Sequence, residues 1–308
     1  MAWSNRRRVT CAALVFLLPN LAGFVLFTSF PVLASFLLSF FRWDLFTTPE
    51  FVGLGNFREL FGDRHVWQAA YNTAFLMLVV PVNIAGSLLL AVLMNQKLRG
   101  IVVFRTIFFL PTIVAGVGTY ILWRWLYEPD YGLINSILTT VVPGWAHDGL
   151  RLVLGEDNWP PRWLTSVFWA KPALMFMSFW TLVGGYNMVL YLAALQGVPP
   201  ELYEAAGIDG ANGWQRFWHV TWPMVSPTTF FILTMSLIGG LQSGFEEAYV
   251  MTQGGPAGAT TTIGYYIYNN AFAWNKMGYA AAIAWVLFAV VLGLTVLNWR
   301  FGGKLVHS

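Results

Sequence analysis

The residues with the most specific spacing in this chain are Glu204, Ala205 and Ala206, followed by Asp209-Gly210 and closed by Pro223. They carry no acid–base or nucleophilic chemistry. What they offer is contact: a carboxylate for a basic partner, small side chains that let another surface come close, and a turn dipeptide whose glycine takes backbone angles that a Cβ would obstruct. Pro199-Pro200 opens the segment, and Glu201 and Glu204 put acids in the first part of a helix, where the dipole favours them. Gly207 and Gly210 punctuate it. From Ala211 to Val220 a second short helix is expected, with Trp214, Phe217 and Trp218 on one side, before Pro223 restarts an apolar run. Two short helices about a glycine turn make a stiff protrusion on which a soluble partner can push.

The elements that hold this protrusion follow from composition. Hydrophobic residues make up 57% of the 308 residues and charged residues only 10%, whereas soluble domains carry roughly 25% charge. The 17 Lys+Arg and 14 Asp+Glu fall mainly between long apolar runs, the pattern of an all-α polytopic membrane protein. Six runs are long enough to cross the hydrocarbon layer, near 11–41, 69–95, 102–126, 167–196, 223–245 and 278–299. The first follows Arg6-Arg7-Arg8 and contains Pro19 and Pro31. Its apolar stretch of roughly thirty residues is too long for a signal-peptide core, and no small-x-small cleavage site follows, so it reads as a span. Nothing divides the chain, and 1–308 reads as a single permeating domain.

Charge gives sidedness. Arg6–Arg8, Lys97, Arg99, Arg105, Arg216, Arg300 and Lys304 gather on one side, and most acids lie on the other. The basic face is cytoplasmic, which places both termini and the segment 197–223 inside, between spans four and five. The long polar segment 127–166 falls outside, either as a small cap or as a disordered loop. The excess of basic residues therefore belongs to a membrane face and does not indicate nucleic acid. One cysteine, Cys11, excludes an intrachain disulfide and a multi-cysteine metal site.

Polar residues inside apolar spans mark a solute path, because each is costly in lipid. Asn83 in span two, Tyr186 and Asn187 in span four, and Gln242, Ser243 and Glu246 at the end of span five are the candidates. Glu246 and its neighbour Glu247 read more readily as marking the membrane boundary. His65, His147, His219 and His307 are scattered and form no metal site. Ser166 and Ser178 have no His/acid partner suggestive of nucleophilic catalysis, and no catalytic residue is assigned. Phosphate-binding G-x-x-x-x-G-K-[ST] is absent, since Gly302-Gly303-Lys304 ends in Leu305. Any nucleotide chemistry belongs to another chain.

Glu204, Ala205, Ala206, Gly210, Val220 and Pro223 match the E-A-A, glycine, aliphatic and proline pattern of a known loop. The string Tyr203-Glu-Ala-Ala-Gly-Ile-Asp-Gly-Ala211 resembles the coupling loop of ATP-binding-cassette (ABC) importer permeases, in their carbohydrate-uptake branch. Phe51-Val-Gly-Leu-Gly-Asn-Phe57, Phe104-Arg-Thr-Ile-Phe-Phe-Leu-Pro111, Met251-Thr-Gln-Gly-Gly-Pro256 with Thr260-Thr-Thr262, and Gly278-Tyr-Ala-Ala-Ala282 are similar to further segments of that family. The resemblance covers roughly 12–301 and departs most in the length of 139–166. It implies a type I importer fold with six transmembrane helices and a cytoplasmic two-helix coupling loop, in a bacterial inner membrane. It also implies partners: an ATPase subunit dimer that binds ATP and Mg, a second and different permease, and an extracytoplasmic solute-binding protein. This chain itself then holds no cofactor. Tyr186 falls where a substrate-contacting aromatic lies in related maltose permeases. The competing reading is an ion-coupled secondary transporter, which calls for an ionisable group at mid-membrane. A membrane-embedded enzyme would call for an interfacial cluster of His, Asp or Arg.

Overall fold

A computed structural model describes residues 2–96, 99–114, 116–155, 158–242 and 244–302. Five helices are long and apolar enough to span a bilayer: α1 (Ala12–Leu38), α2 (Arg64–Met94), α5 (Val167–Gln196), α7 (Gly213–Gln242) and α8 (Met277–Arg300). The shorter α3 (Ile101–Ile113) and α4 (Val117–Leu126) pass the same test together and bring the number to six if counted as one span. Helix α6 (Pro200–Ile208) joins α5 to α7.

Two prolines sit inside long helices by the same device. The backbone widens to π geometry over Val25–Ser29, closing with Phe30 N–H to Val25 O, and Pro31 follows. It widens again over Phe217–Thr221, closing with Trp222 N–H to Phe217 O, and Pro223 follows. Proline lacks an N–H and crowds the carbonyl four residues back, and a wider turn relieves that crowding. The expected second loop helix and the expected restart at Pro223 are thereby corrected. Residues 213–242 form one continuous helix, so the protrusion runs into the span without a joint.

The chain forms two units, Met1–Asp63 with Ile267–Phe288, and Arg64–Tyr266 with Ala289–Ser308. In the first, α1 is exposed along its length and leads to a two-stranded antiparallel ribbon pairing Phe41 with Phe51 and Arg42 with Glu50. Asn56 Nδ2 donates to Ser39 O at 2.8 Å and Phe41 O at 2.9 Å. Trp285 Nε1 donates to Ser35 Oγ at 3.2 Å, and Tyr279 donates its O–H to Asp63 at 2.8 Å.

In the second unit, α2, α5 and α7 pack about Leu88, Ala91, Met188, Tyr191, Leu195, Val225 and Ile232. A further cluster joins Trp123 and Tyr127 to Ala173, Leu174 and Met177. Helix α5 breaks at Gly184-Gly185, where a Cβ on Gly184 would run into the Phe108 carbonyl of α3. Only glycine allows that crossing. Helices Leu133–Val141 and Gly144–Leu154 make up half of segment 127–166. Buried Asn135 pins it, donating to Pro129 O and Pro161 O and accepting from Trp163 Nε1 at 2.8 Å.

Candidate functional site: an exposed helical knob and a membrane cavity

The knob begins with Pro200 in the first turn of α6, where a missing N–H costs nothing, and Glu201 beside it. The helix ends as Ala211 N–H reaches back to Ala206 O at 2.9 Å, and Gly210 carries the reversal at φ +77°. A Cβ there would meet nothing, so the demand for glycine is conformational, not steric. Asn212 then opens α7 with a capping box: its side chain accepts from Gln215 N–H at 2.9 Å, and Gln215 Oε1 accepts from Asn212 N–H at 2.8 Å. Arg216 Nε donates to Ala211 O at 2.9 Å, and its guanidinium lies over Gly207. The Tyr203 and Thr221 hydroxyls meet at 3.0 Å.

These bonds leave most of the motif residues exposed. Glu204, Ala205, Asp209 and Gly210 are exposed, and Ala206 is half-buried. Ile208 is 87% exposed. An apolar tip ringed by acids, on a helix fixed to a long span, is a surface shaped for a protein partner. Pro223 lies behind it, inside α7.

A cavity of about 410 Å³ opens among α2, α5 and α7. Asn83 and Asn187 line it, with Ser178, Ser236, Thr73 and Glu247; Gly239 and Gly240 leave room by having no side chains. Asn83 is 3% exposed, and neither its Nδ2 nor its Oδ1 has a partner. An amide left unpaired costs on the order of 1–3 kcal/mol. Its polar neighbours on α2 are all bonded: Asn72 to Gly258 O and Thr261 O, Thr73 to Ala69 O, Ser87 to Val183 O. Ser178 and the Glu247 carboxyl group belong to the same wall.

The six path candidates divide. Asn83 and Asn187 share the cavity. Gln242 and Glu246 line an adjoining recess with Tyr120 and Glu247. Tyr186 is 70% exposed and rests edge-on against Phe109 at 5.9 Å. Ser243 lies outside the described residues. Glu247 follows Gly244 (φ +89°) and lines the cavity together with Ser178. The available signal was helical spacing: Thr73, Met77, Val80 and Asn83 recur every three or four residues on one face of α2.

The family model for the binding-protein-dependent transport system inner membrane component matches residues 13–300. The chain belongs to this family. It is thus a multi-pass membrane permease of an ABC importer, and membership decides against the secondary-transporter reading. The chain is 36% identical over 307 residues to the probable ABC transporter permease protein YesP of Bacillus subtilis, covering 98% of this chain and 93% of that protein. It is 37% identical over 290 residues to the lactose transport system permease protein LacF of Rhizobium radiobacter, covering 92% of each. Among solved structures, it is similar to a bacterial ABC transporter involved in the import of the acidic polysaccharide alginate. The TM-score is 0.81 at 25% identity, covering 98% of both chains. Proteins of this family are transport permeases, not enzymes.

Proposed function

We propose that this chain is one of two permease subunits of a sugar or polyol importer, and that the knob on α6 is where ATP hydrolysis reaches it. In this reading the chain makes six spans, with α3 and α4 forming the third, and both termini and the knob are cytoplasmic. An ATPase dimer holding ATP and Mg receives the knob, with Glu204 pairing to a basic residue of the ATPase and Ala205, Ala206 and Asp209 forming the contact. Closure of the ATPase dimer moves the knob, and the continuous helix α7 carries the motion to the cavity. A second, different permease completes the path, and a solute-binding protein delivers from outside. Asn83 and Asn187 are the residues here that face the solute, with Tyr186, Gln242, Ser243 and Glu246 contributing where the partner permease closes the path.

The carrying observation is the Tyr203–Thr221 contact, which ties the exposed helix α6 to the base of α7. The sugar class is supported by the likeness to a lactose permease and by a cavity lined with amide and hydroxyl groups. Purification of the tagged chain from its native membrane tests the proposal. It should bring down an ATPase and a second permease, and reconstituted vesicles should accumulate sugar only with ATP and binding protein. Solute uptake by the chain alone, driven by an ion gradient, would refute it.

A further inference from the structure

We infer that Asn83 and Glu247 form the discriminating pair of the cavity, so that it takes uncharged polyhydroxylated solutes and turns away phosphorylated or uronic ones. The inference rests on the importer reading and narrows its solute. Asn83 offers an acceptor oxygen and two N–H donors, all unspent, in a wall otherwise supplied with hydroxyl and amide groups. A sugar hydroxyl, both donor and acceptor, complements it. Glu247 adds a carboxyl group to the same wall. No Lys or Arg lines the cavity among the described residues.

Basic residues on the flanking helices are engaged elsewhere. The Lys171 ammonium sits over the Tyr71 ring at 4.6 Å and the Phe75 ring at 5.0 Å. Arg124 Nη1 donates to Val250 O at 3.2 Å. An anionic solute would therefore meet a carboxylate with no counter-charge to offset it.

Charge-selective labelling reads the field of the cavity without knowing the solute. In a Cys11→Ser background, the thiol introduced by Ser236→Cys lines the same wall. Membrane vesicles holding the full chain with its copurifying subunits are treated with a trimethylammonium-ethyl or a sulfonato-ethyl methanethiosulfonate. Relative to a free thiol, the cationic reagent should react at least about tenfold faster than the anionic one. Glu247→Gln should bring the ratio close to one. Equal rates in the parent overturn the inference, as does a preference that survives Glu247→Gln or a thiol that neither reagent reaches.

A second reading tests the amide. Asn83→Leu should abolish sugar uptake while the purified complex melts at the same temperature or higher, because no bond is lost. A lower melting temperature would mean that the amide is structural and would sink its assignment. If instead the importer reading fails, no ATPase copurifies, whereas the labelling contrast is unaffected.

Discussion

The Tyr203 hydroxyl lies 3.0 Å from the Thr221 hydroxyl, and this one bond joins the exposed helix α6 to the first turns of α7. Around it, Arg216 closes on Ala211 O and the capping box fixes the start of α7. The tip therefore has no soft joint through which a push could dissipate. Tyr203→Phe removes the bond and little volume, at a cost of about 1 kcal/mol. The complex should assemble in normal amount and hydrolyse several-fold more ATP per solute imported. Unaltered stoichiometry in a reconstituted assay would show that the bond carries no coupling.

Gly210 sets the angle at which the tip leaves α6. At φ +77° an L-residue pays roughly 1–2 kcal/mol, and proline, locked near −65°, cannot adopt it. Gly210→Ala should lower transport modestly, whereas Gly210→Pro should leave a chain that inserts but no longer couples. Glu204→Lys should do the same by reversing an exposed charge. Transport-linked ATPase activity at the parent level in the Gly210→Pro or Glu204→Lys complex would contradict these roles.

Much of this was legible in the residues alone. The composition announced the bundle, and the spacing of Glu204, Gly210 and Pro223 located the knob. What the pattern missed has physical causes. Pro223 reads as a break because proline lacks an N–H, yet the π turn over Phe217–Thr221 absorbs the defect over residues that carry no special signal. Asn83 was singled out for its cost in lipid. That its amide is unspent while the Asn72 amide donates to two carbonyls depends on contacts more than 180 residues away, which no local spacing encodes.

Gly184 is a steric requirement of a different kind. Gly184→Ala would drive a methyl group into the Phe108 carbonyl, and overpacking of this sort costs about 1–3 kcal/mol. The purified complex should lose several degrees of thermal stability. Gly239→Ala meets nothing within 4 Å and should leave stability unchanged, so equal melting temperatures for the two variants would count against the α3–α5 crossing.

The segment 127–166 depends on Asn135. Asn135→Leu strands the Trp163 N–H and two carbonyls inside the cap, a loss of about 1–3 kcal/mol. Limited proteolysis from the outer face should then cut within 133–154 at a faster rate than in the parent, with uptake reduced less than by Gly210→Pro. Identical digestion would mean that other contacts hold the cap.

The central claim is that the knob faces the cytoplasm and is gripped there by a separate ATPase. Ala205→Cys in a Cys11→Ser background places one thiol on its exposed face, and a membrane-impermeant maleimide reads which side it occupies. Intact spheroplasts should leave it unlabelled. Inside-out vesicles should label it once the ATPase is stripped, and added ATPase should protect it. Labelling from the outside of intact cells would contradict the account.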